Sequence, residues 1–242
     1  MVKTELSGMT AIVTGGSKGY GLGIAEGLKA KGVQVWITGR DDKALATTAK
    51  HLKVESMRAD ITRAEDWDRL IASVMKATGK LDILVNNAGS GVHITQLADM
   101  TDEEVLESIA VNLTGAILGC RRAAKIMMRQ ESGTIINVSS VCQSEAWPGW
   151  SVYSAAKAGL AQLSNCLYTE MRPHGVRVTT LVPSGGATEF MKTAHLAPYT
   201  PEDKYIQPRE LGDLVVTICE LPKHLEMQNL TLWPMIQKVE PL

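Results

Sequence analysis

Tyr153 and Lys157 stand one helical turn apart, with Ser140 thirteen residues before the tyrosine and Asn112 earlier still. Residues i and i+4 are neighbours on a helix, so Tyr-x-x-x-Lys sets a phenol and an ammonium on one face. A phenol ordinarily keeps its proton to about pH 10. A fixed cation beside it favours the phenolate and is expected to lower that value. A tyrosine tuned in this way can trade a proton with a carbonyl or alcohol oxygen near neutral pH. Alone, the pattern also describes an exposed pair on a solvated helix, so the surrounding elements decide its meaning.

Short apolar runs alternate with amphipathic stretches along the whole chain. Strands are predicted at 10–14, 33–38, 54–58, 81–85, 134–138, 176–182 and 229–233. Helices are predicted at 19–31, 43–50, 64–78, 102–129, 151–171 and 208–220. Strands alternating with helices mean βαβ units and a parallel sheet covered on both faces, and near-continuous apolar strands such as Ile83-Leu84-Val85 agree. The expected fold class is therefore α/β, a doubly wound (Rossmann) parallel sheet of about seven strands. Its ligands should lie beyond the carboxyl ends of the strands.

Thr14-Gly15-Gly16-Ser17-Lys18-Gly19-Tyr20-Gly21 follows the first strand and opens the first helix. Glycines there let the backbone turn tightly and approach a pyrophosphate, which the helix N-terminus attracts. In this strand–turn–helix setting the Gly-x-x-x-Gly-x-Gly spacing points to a nucleotide.

Composition narrows the classes. No Pro/Gly/Ser-rich linker, charge run or repeat divides the 242 residues, which read as one domain, 1–242. A net charge of -1 gives no electrostatic footprint for nucleic acid or an anionic membrane. No apolar run approaches the ~20 residues that span a bilayer. The segment Met1–Leu6 shows no apolar signal region. Cys120, Cys142, Cys166 and Cys219 are scattered and read as reduced thiols of a cytoplasmic protein. The five histidines show no metal-ligand spacing, so no metal is expected.

Thr14-Gly15-x-x-x-Gly19-x-Gly21, Asp60, Asn86-Asn87-Ala88-Gly89, Asn112, Ser140, Tyr153-x-x-x-Lys157 and Pro183 to Thr188 occur here in that order. In kind and order they resemble the motifs of the short-chain dehydrogenase/reductase family, in its compact single-domain branch. The resemblance covers about residues 9 to 188. It implies an NADP(H)-dependent oxidoreductase interconverting a ketone or aldehyde, including 3-oxo/3-hydroxy acid types, with an alcohol. Ser140 would stabilise charge on the substrate oxygen. Its rival Ser139 lacks the thirteen-residue gap to Tyr153. Tyr153 would be the general acid/base. Lys157 would tune it and bind the nicotinamide ribose. Asn112 would bend its helix and hold a water against Lys157.

Cofactor contacts are expected from Gly15, Ser17, Lys18, Gly19, Tyr20 and Gly21, from Asp60 and Ile61 at the adenine, and from Asn87, Ala88 and Gly89 at the ribose. Pro183, Gly185, Gly186 and Thr188 would meet the carboxamide end, beside Tyr153 and Lys157. Asn86 serves either the cofactor or the sheet. The second strand ends Ile37-Thr38-Gly39-Arg40, with glycine where NAD-preferring members carry an acid. Arg40 and Lys18 suit the 2′-phosphate of NADP. Alternatively both are surface charges with Asp41 and Asp42 as partners.

The chain departs from the family pattern after the sixth strand. Ser184 replaces a glycine, and Gly186 replaces a hydrophobic residue. Adjacent glycines suggest a mobile lid over residues 189–207. Gln143, Trp147 and Trp150, between Ser140 and Tyr153, are candidate substrate residues, and His93 is more plausibly a surface residue. The C-terminal stretch resembles the branch acting on 3-hydroxy acids and small carbonyl compounds. Family members pair their two long helices between subunits, which implies a homodimer or homotetramer. The rival reading is a catalytically silent dinucleotide-binding sensor, against which the intact Asn112, Ser140, Tyr153, Lys157 set argues.

Overall fold

A computed structural model describes residues 3–201 and 204–237. Residues 202–203 of the expected lid, and both ends of the expected 1–242 domain, lie outside the described residues.

Seven strands form one parallel sheet: β1 (Thr10–Thr14), β2 (Gln34–Gly39), β3 (Glu55–Arg58), β4 (Ile83–Asn86), β5 (Gly133–Val138), β6 (Val176–Pro183) and β7 (Asn229–Leu232). Their order is β3-β2-β1-β4-β5-β6-β7. The chain winds outward through β2 and β3, then returns to the other side of β1 with β4. That reversal opens a crevice at the carboxyl ends of β1 and β4, where such sheets bind ligands. The α/β, doubly wound expectation holds.

Helices α1 (Gly19–Ala30), α2 (Asp42–Leu52), α3 (Ala64–Thr78), α4 (Asp102–Ile109), α5 (Gly115–Gln130), α6 (Ser151–Met171), α7 (Phe190–Thr193) and α8 (Pro208–Cys219) pack around the sheet. Successive strand residues point to opposite faces. Val13 of β1 therefore joins Ile24, Leu28, Leu211 and Val215 in one core. Its neighbour Ile12 joins Trp67, Leu70, Met127 and Leu167 in the other. Burying each such side chain contributes about 1.5–3 kcal/mol, so both faces hold the sheet rigid beneath its loops.

The helix predicted at 102–129 is two helices joined by a π-helical turn, Ala110–Thr114. α4 starts at a capping box between Thr101 and Glu104. Asn86 proves structural: its Nδ2 donates to Asn137 Oδ1 (2.8 Å) and to Cys120 Sγ (3.2 Å), tying β4 to β5. Among the described residues, no helix is long and apolar enough to cross a membrane.

Candidate active site

A cavity of about 560 Å³ runs along the carboxyl ends of the strands, from the glycine turn to Tyr153. At one end, Gly15 and Gly19 take φ values of 64° and 53°, the left-handed region that favours glycine. A Cβ on Gly21 would lie 2.1 Å from the Gly15 carbonyl oxygen, so this turn folds back on its own helix. Lys18, at the start of α1, makes no capping bond with its side chain, and no acid occupies the first turn. Ser17, Lys18, Gly19 and Tyr20 face the cavity. Open amide donors at a helix start favour an anion. Gly21 lies behind the turn and shapes it.

The turn after β4 is tied to this one. Asn87 N and Ala88 N both donate to Thr14 Oγ1 at 3.0 Å, and Asn87 Nδ2 donates to Thr14 O at 2.9 Å. The Asn87 amide is thus committed to the loop, while Ala88 and Gly89 line the cavity.

Arg40, Asp60 and Ile61 line the far rim. Asp41 caps α2 by accepting from Lys43 N and Ala44 N, and Asp42 faces Arg58 at 3.5 Å. Both aspartates therefore have other work than neutralising Arg40. The Arg40 guanidinium, 60% exposed, has Glu107 at 4.0 Å. Lys18 behaves differently from expectation: it is ion-paired with Glu189 across the mouth of the cleft. Burial pushes the Asp60 carboxyl upward. Two hydrogen bonds from Thr62, with Arg40 and Arg63, outweigh it and hold the carboxyl below its usual range.

Tyr153 and Lys157, on successive turns of α6, are both buried. The Lys157 Nζ lies 5.6 Å from the phenol ring centroid and donates to Val138 O at 3.0 Å. The phenol is shifted opposite to the direction expected from the spacing. Burial is the largest influence on Tyr153 and pushes its pKa up, Cys142 adds to it, and only a hydrogen bond with Ser140 pulls it down. Burial likewise lowers Lys157 to about 8. Desolvation disfavours both charged forms. The protein thus holds Tyr153 as a protonated phenol.

Ser140 Oγ accepts from Cys142 N at 3.3 Å. Ser139 instead turns inward and donates to Lys157 O at 3.2 Å. Asn112 is buried in the π-helical turn. Its Oδ1 accepts from Ser90 N (3.1 Å), and its Nδ2 donates to Ser90 O (2.8 Å) and Ser108 O (3.0 Å). A Cβ on Gly89 would lie 2.9 Å from Asn112 Oδ1 and 3.6 Å from Lys157 Nζ, which brings the two side chains to one spot.

The departures after β6 have packing reasons. Ser184 Oγ and Gly185 N both donate to Gln237 Oε1 at 2.7 Å. A Cβ on Gly185 would meet that oxygen at 2.7 Å and Tyr205 Cδ1 at 2.8 Å. A Cβ on Gly186 would lie 1.8 Å from Tyr20 Oη. The paired glycines are required by crowding against Tyr20, Tyr205 and Gln237. Pro183, Gly185, Gly186 and Thr188 all line the cavity.

At the Tyr153 end, Trp147 and Trp150 face the cavity as expected. Gln143 does not line it, and its Oε1 is buried without a hydrogen-bond partner. His93 stands off the site, with Nδ1 2.9 Å from Glu104 Oε1. The lid contributes residues that sequence reasoning left unassigned, Phe190 on α7 and Tyr199, and Gln237 arrives from the C-terminal stretch. The aromatic content of 189–207 was the available signal for the first two. Nothing local marks Gln237.

Residues 9–197 match the short chain dehydrogenase family model. The chain belongs to the short-chain dehydrogenase family. An uncharacterized oxidoreductase of Staphylococcus aureus (strain USA300) is 31% identical over 235 residues, covering 96% of this chain and 99% of that protein. Solved short-chain dehydrogenase structures overlay closely. A metagenomic short-chain oxidoreductase in complex with NADP is 29% identical, with TM-score 0.84 over 97% of this chain and 100% of its own. The closed form of a serine dehydrogenase complexed with NADP+ is 27% identical, with TM-score 0.88 over 97% and 98%. An actinorhodin polyketide ketoreductase variant with NADPH is 26% identical, with TM-score 0.85 over 96% and 97%. The chain is thus an oxidoreductase of this family.

Proposed function

We propose that this oxidoreductase is NADP(H)-dependent and reduces a ketone or aldehyde to the alcohol, with Tyr153 as the proton donor. The observation that carries the reading is a buried phenol one helical turn from Lys157, closing a cavity whose other end is an uncapped helix start. The NADP and NADPH complexes among the structural neighbours support the cofactor assignment. So does the local chemistry: glycine turns that a Cβ would fill, open amide donors, and Arg40 at the rim. Ser17, Lys18, Gly19 and Tyr20 would hold the pyrophosphate, with Arg40 at the 2′-phosphate, Asp60 and Ile61 at the adenine, and Ala88 and Gly89 at the ribose. Pro183, Gly185, Gly186 and Thr188 would edge the carboxamide.

Reduced nicotinamide supplies the hydride when bound. The protein's part is protonation and placement. A phenol held protonated by burial is in the form a reductase needs, since it gives its proton to the substrate oxygen as charge grows there. Ser140 Oγ accepts one hydrogen bond from the backbone and keeps its own hydrogen for that oxygen. The Lys157 ammonium has three hydrogens and spends one on Val138 O, leaving two for ribose hydroxyls. Asn112 fixes Ser90 and Gly89 beside Lys157, where a water would connect the lysine to solvent.

The continuous seven-stranded sheet supports reading the chain as one catalytic unit. Leu106, 70% exposed on α4, and Ile117 on α5 support a homodimer or homotetramer built on those helices. Free thiols at Cys120, Cys142, Cys166 and Cys219 fit the cytoplasm. The test is Tyr153→Phe. NADPH consumption with a responsive carbonyl should fall by about 10²–10⁴-fold, with NADPH affinity kept. Undiminished turnover would remove the assignment, and NADPH binding without turnover of any carbonyl in the parent protein would favour a silent sensor.

A further inference from the structure

Charge is unevenly spread in the cavity. Its charged residues are Lys18, Arg40, Asp41, Asp60, Glu189 and Lys157, of which Lys157 stands beside Tyr153. Around Tyr153 the wall is Val141, Cys142, Trp147, Trp150, Phe190 and Tyr199, all uncharged.

Trp150 is the centre of this wall. Its ring meets Tyr153 edge-on at 5.6 Å, Trp147 edge-on at 6.0 Å, and Phe190 near-parallel at 6.2 Å and 16°. Phe190, the chain's single phenylalanine, also meets Tyr153 edge-on at 5.4 Å. Phe190 is held in place. The next turn, at Ala194, is fully buried, donates from its N to Phe190 O, and accepts from Ile94 N at 3.3 Å. A Cβ on Gly91 would lie 2.3 Å from the Ala194 Cβ, so the lid seats directly on the loop after β4.

We propose that the substrate is an uncharged carbonyl compound bearing a flat apolar group on its reacting carbon, an aryl ketone or aryl aldehyde. This rests on the reading of Tyr153 as proton donor. Ring faces and edges around the phenol reward a planar π-system by offset and edge contacts. A carboxylate placed against the same wall would lose its water for one cation at most, Lys157, whose ammonium already donates to Val138 O and has its remaining hydrogens assigned to the ribose. The 3-oxo and 3-hydroxy acids suggested by the sequence are thereby disfavoured. In the reaction the carbonyl carbon gains the hydride that NADPH loses, and its oxygen gains the Tyr153 proton. The phenolate regains a proton from solvent.

The test compares kcat/KM for acetophenone, cyclohexyl methyl ketone and benzoylformate at saturating NADPH. The first two share size but differ in flatness, and the third adds a carboxylate to the ring. Acetophenone should exceed each of the others by about tenfold or more, the worth of one to two aromatic contacts. Trp150→Leu and Phe190→Leu, on separate elements, should each erase most of that preference through KM. Titration of 1-phenylethanol with NADP+ present should quench tryptophan fluorescence in the parent protein and much less in Trp150→Leu. Equal or better use of benzoylformate or cyclohexyl methyl ketone would overturn the substrate class and leave the oxidoreductase reading standing. NADPH binding with no turnover of any of the three would overturn the substrate class, and only the further failure of a panel of other ketones and aldehydes would overturn the reductase reading on which it rests.

Discussion

Gly186 and Tyr20, distant in sequence, are set against each other, and their coupling can be measured. A Cβ on Gly186 would sit 1.8 Å from Tyr20 Oη, 2.4 Å from Cζ and 2.9 Å from Cε1. Ordinary contact needs about 3.4 Å or more, so Gly186→Ala must drive the ring back by more than an ångström. The ring has little room, since Tyr20 packs against the core on the α1 and α8 face. Overpacking of this kind costs about 1–3 kcal/mol. Tyr20→Leu removes all three clashing atoms and also a buried hydroxyl that has no hydrogen-bond partner. Its loss of ring packing and its relief of an unsatisfied group oppose each other, each worth about 1–3 kcal/mol, so the single variant should lie near neutral. In the Tyr20→Leu background, Gly186→Ala should then cost little, giving a coupling of about 1–3 kcal/mol. Urea unfolding of the four proteins, followed by circular dichroism, supplies the cycle. A Gly186→Ala cost that is the same in both backgrounds, within about 0.5 kcal/mol, would refute the steric account.

Three further outcomes are expected. Arg40→Ala should raise Kd for NADPH by about 10-fold or more, the worth of a charge-assisted contact, with NADH almost unchanged in a fluorescence titration; equal losses would remove the 2′-phosphate role. Glu189→Gln should free Lys18 from an exposed pair worth about 0–1 kcal/mol and tighten NADPH binding by up to about fivefold; weaker binding in isothermal calorimetry would count against a phosphate role for Lys18. Lys157 is charged below its depressed pKa of about 8 and neutral above it, so kcat/KM should hold through neutral pH and fall as pH rises past about 8. A profile flat to pH 10 would contradict a required ammonium.

Much of the fold was legible in the chain. Alternating apolar runs fixed βαβ winding, and winding fixed the crevice, because a doubly wound sheet reverses direction at one place. Glycine-turn position and Tyr-x-x-x-Lys spacing were legible for the same reason: each is set by the local geometry of one turn or one helix. The break in the helix at 110–114 was legible only through Asn112, since a π-helical turn leaves no hydrophobic period of its own. Gln143, three residues after Ser140, falls outside the cavity lining, since sequence adjacency does not fix which side chains a turn presents.

What the sequence determined by itself was the backbone path and the identity of the groups delivered to the crevice, both consequences of short-range periodicity. Tertiary structure alone decided their state and setting. Burial pushes the Tyr153 phenol up where spacing argued for an easier ionisation. The same long-range packing demands glycine beside Tyr20, brings Gln237 back to Ser184, and lays Phe190 of the lid against Trp150 to give the site its aromatic wall.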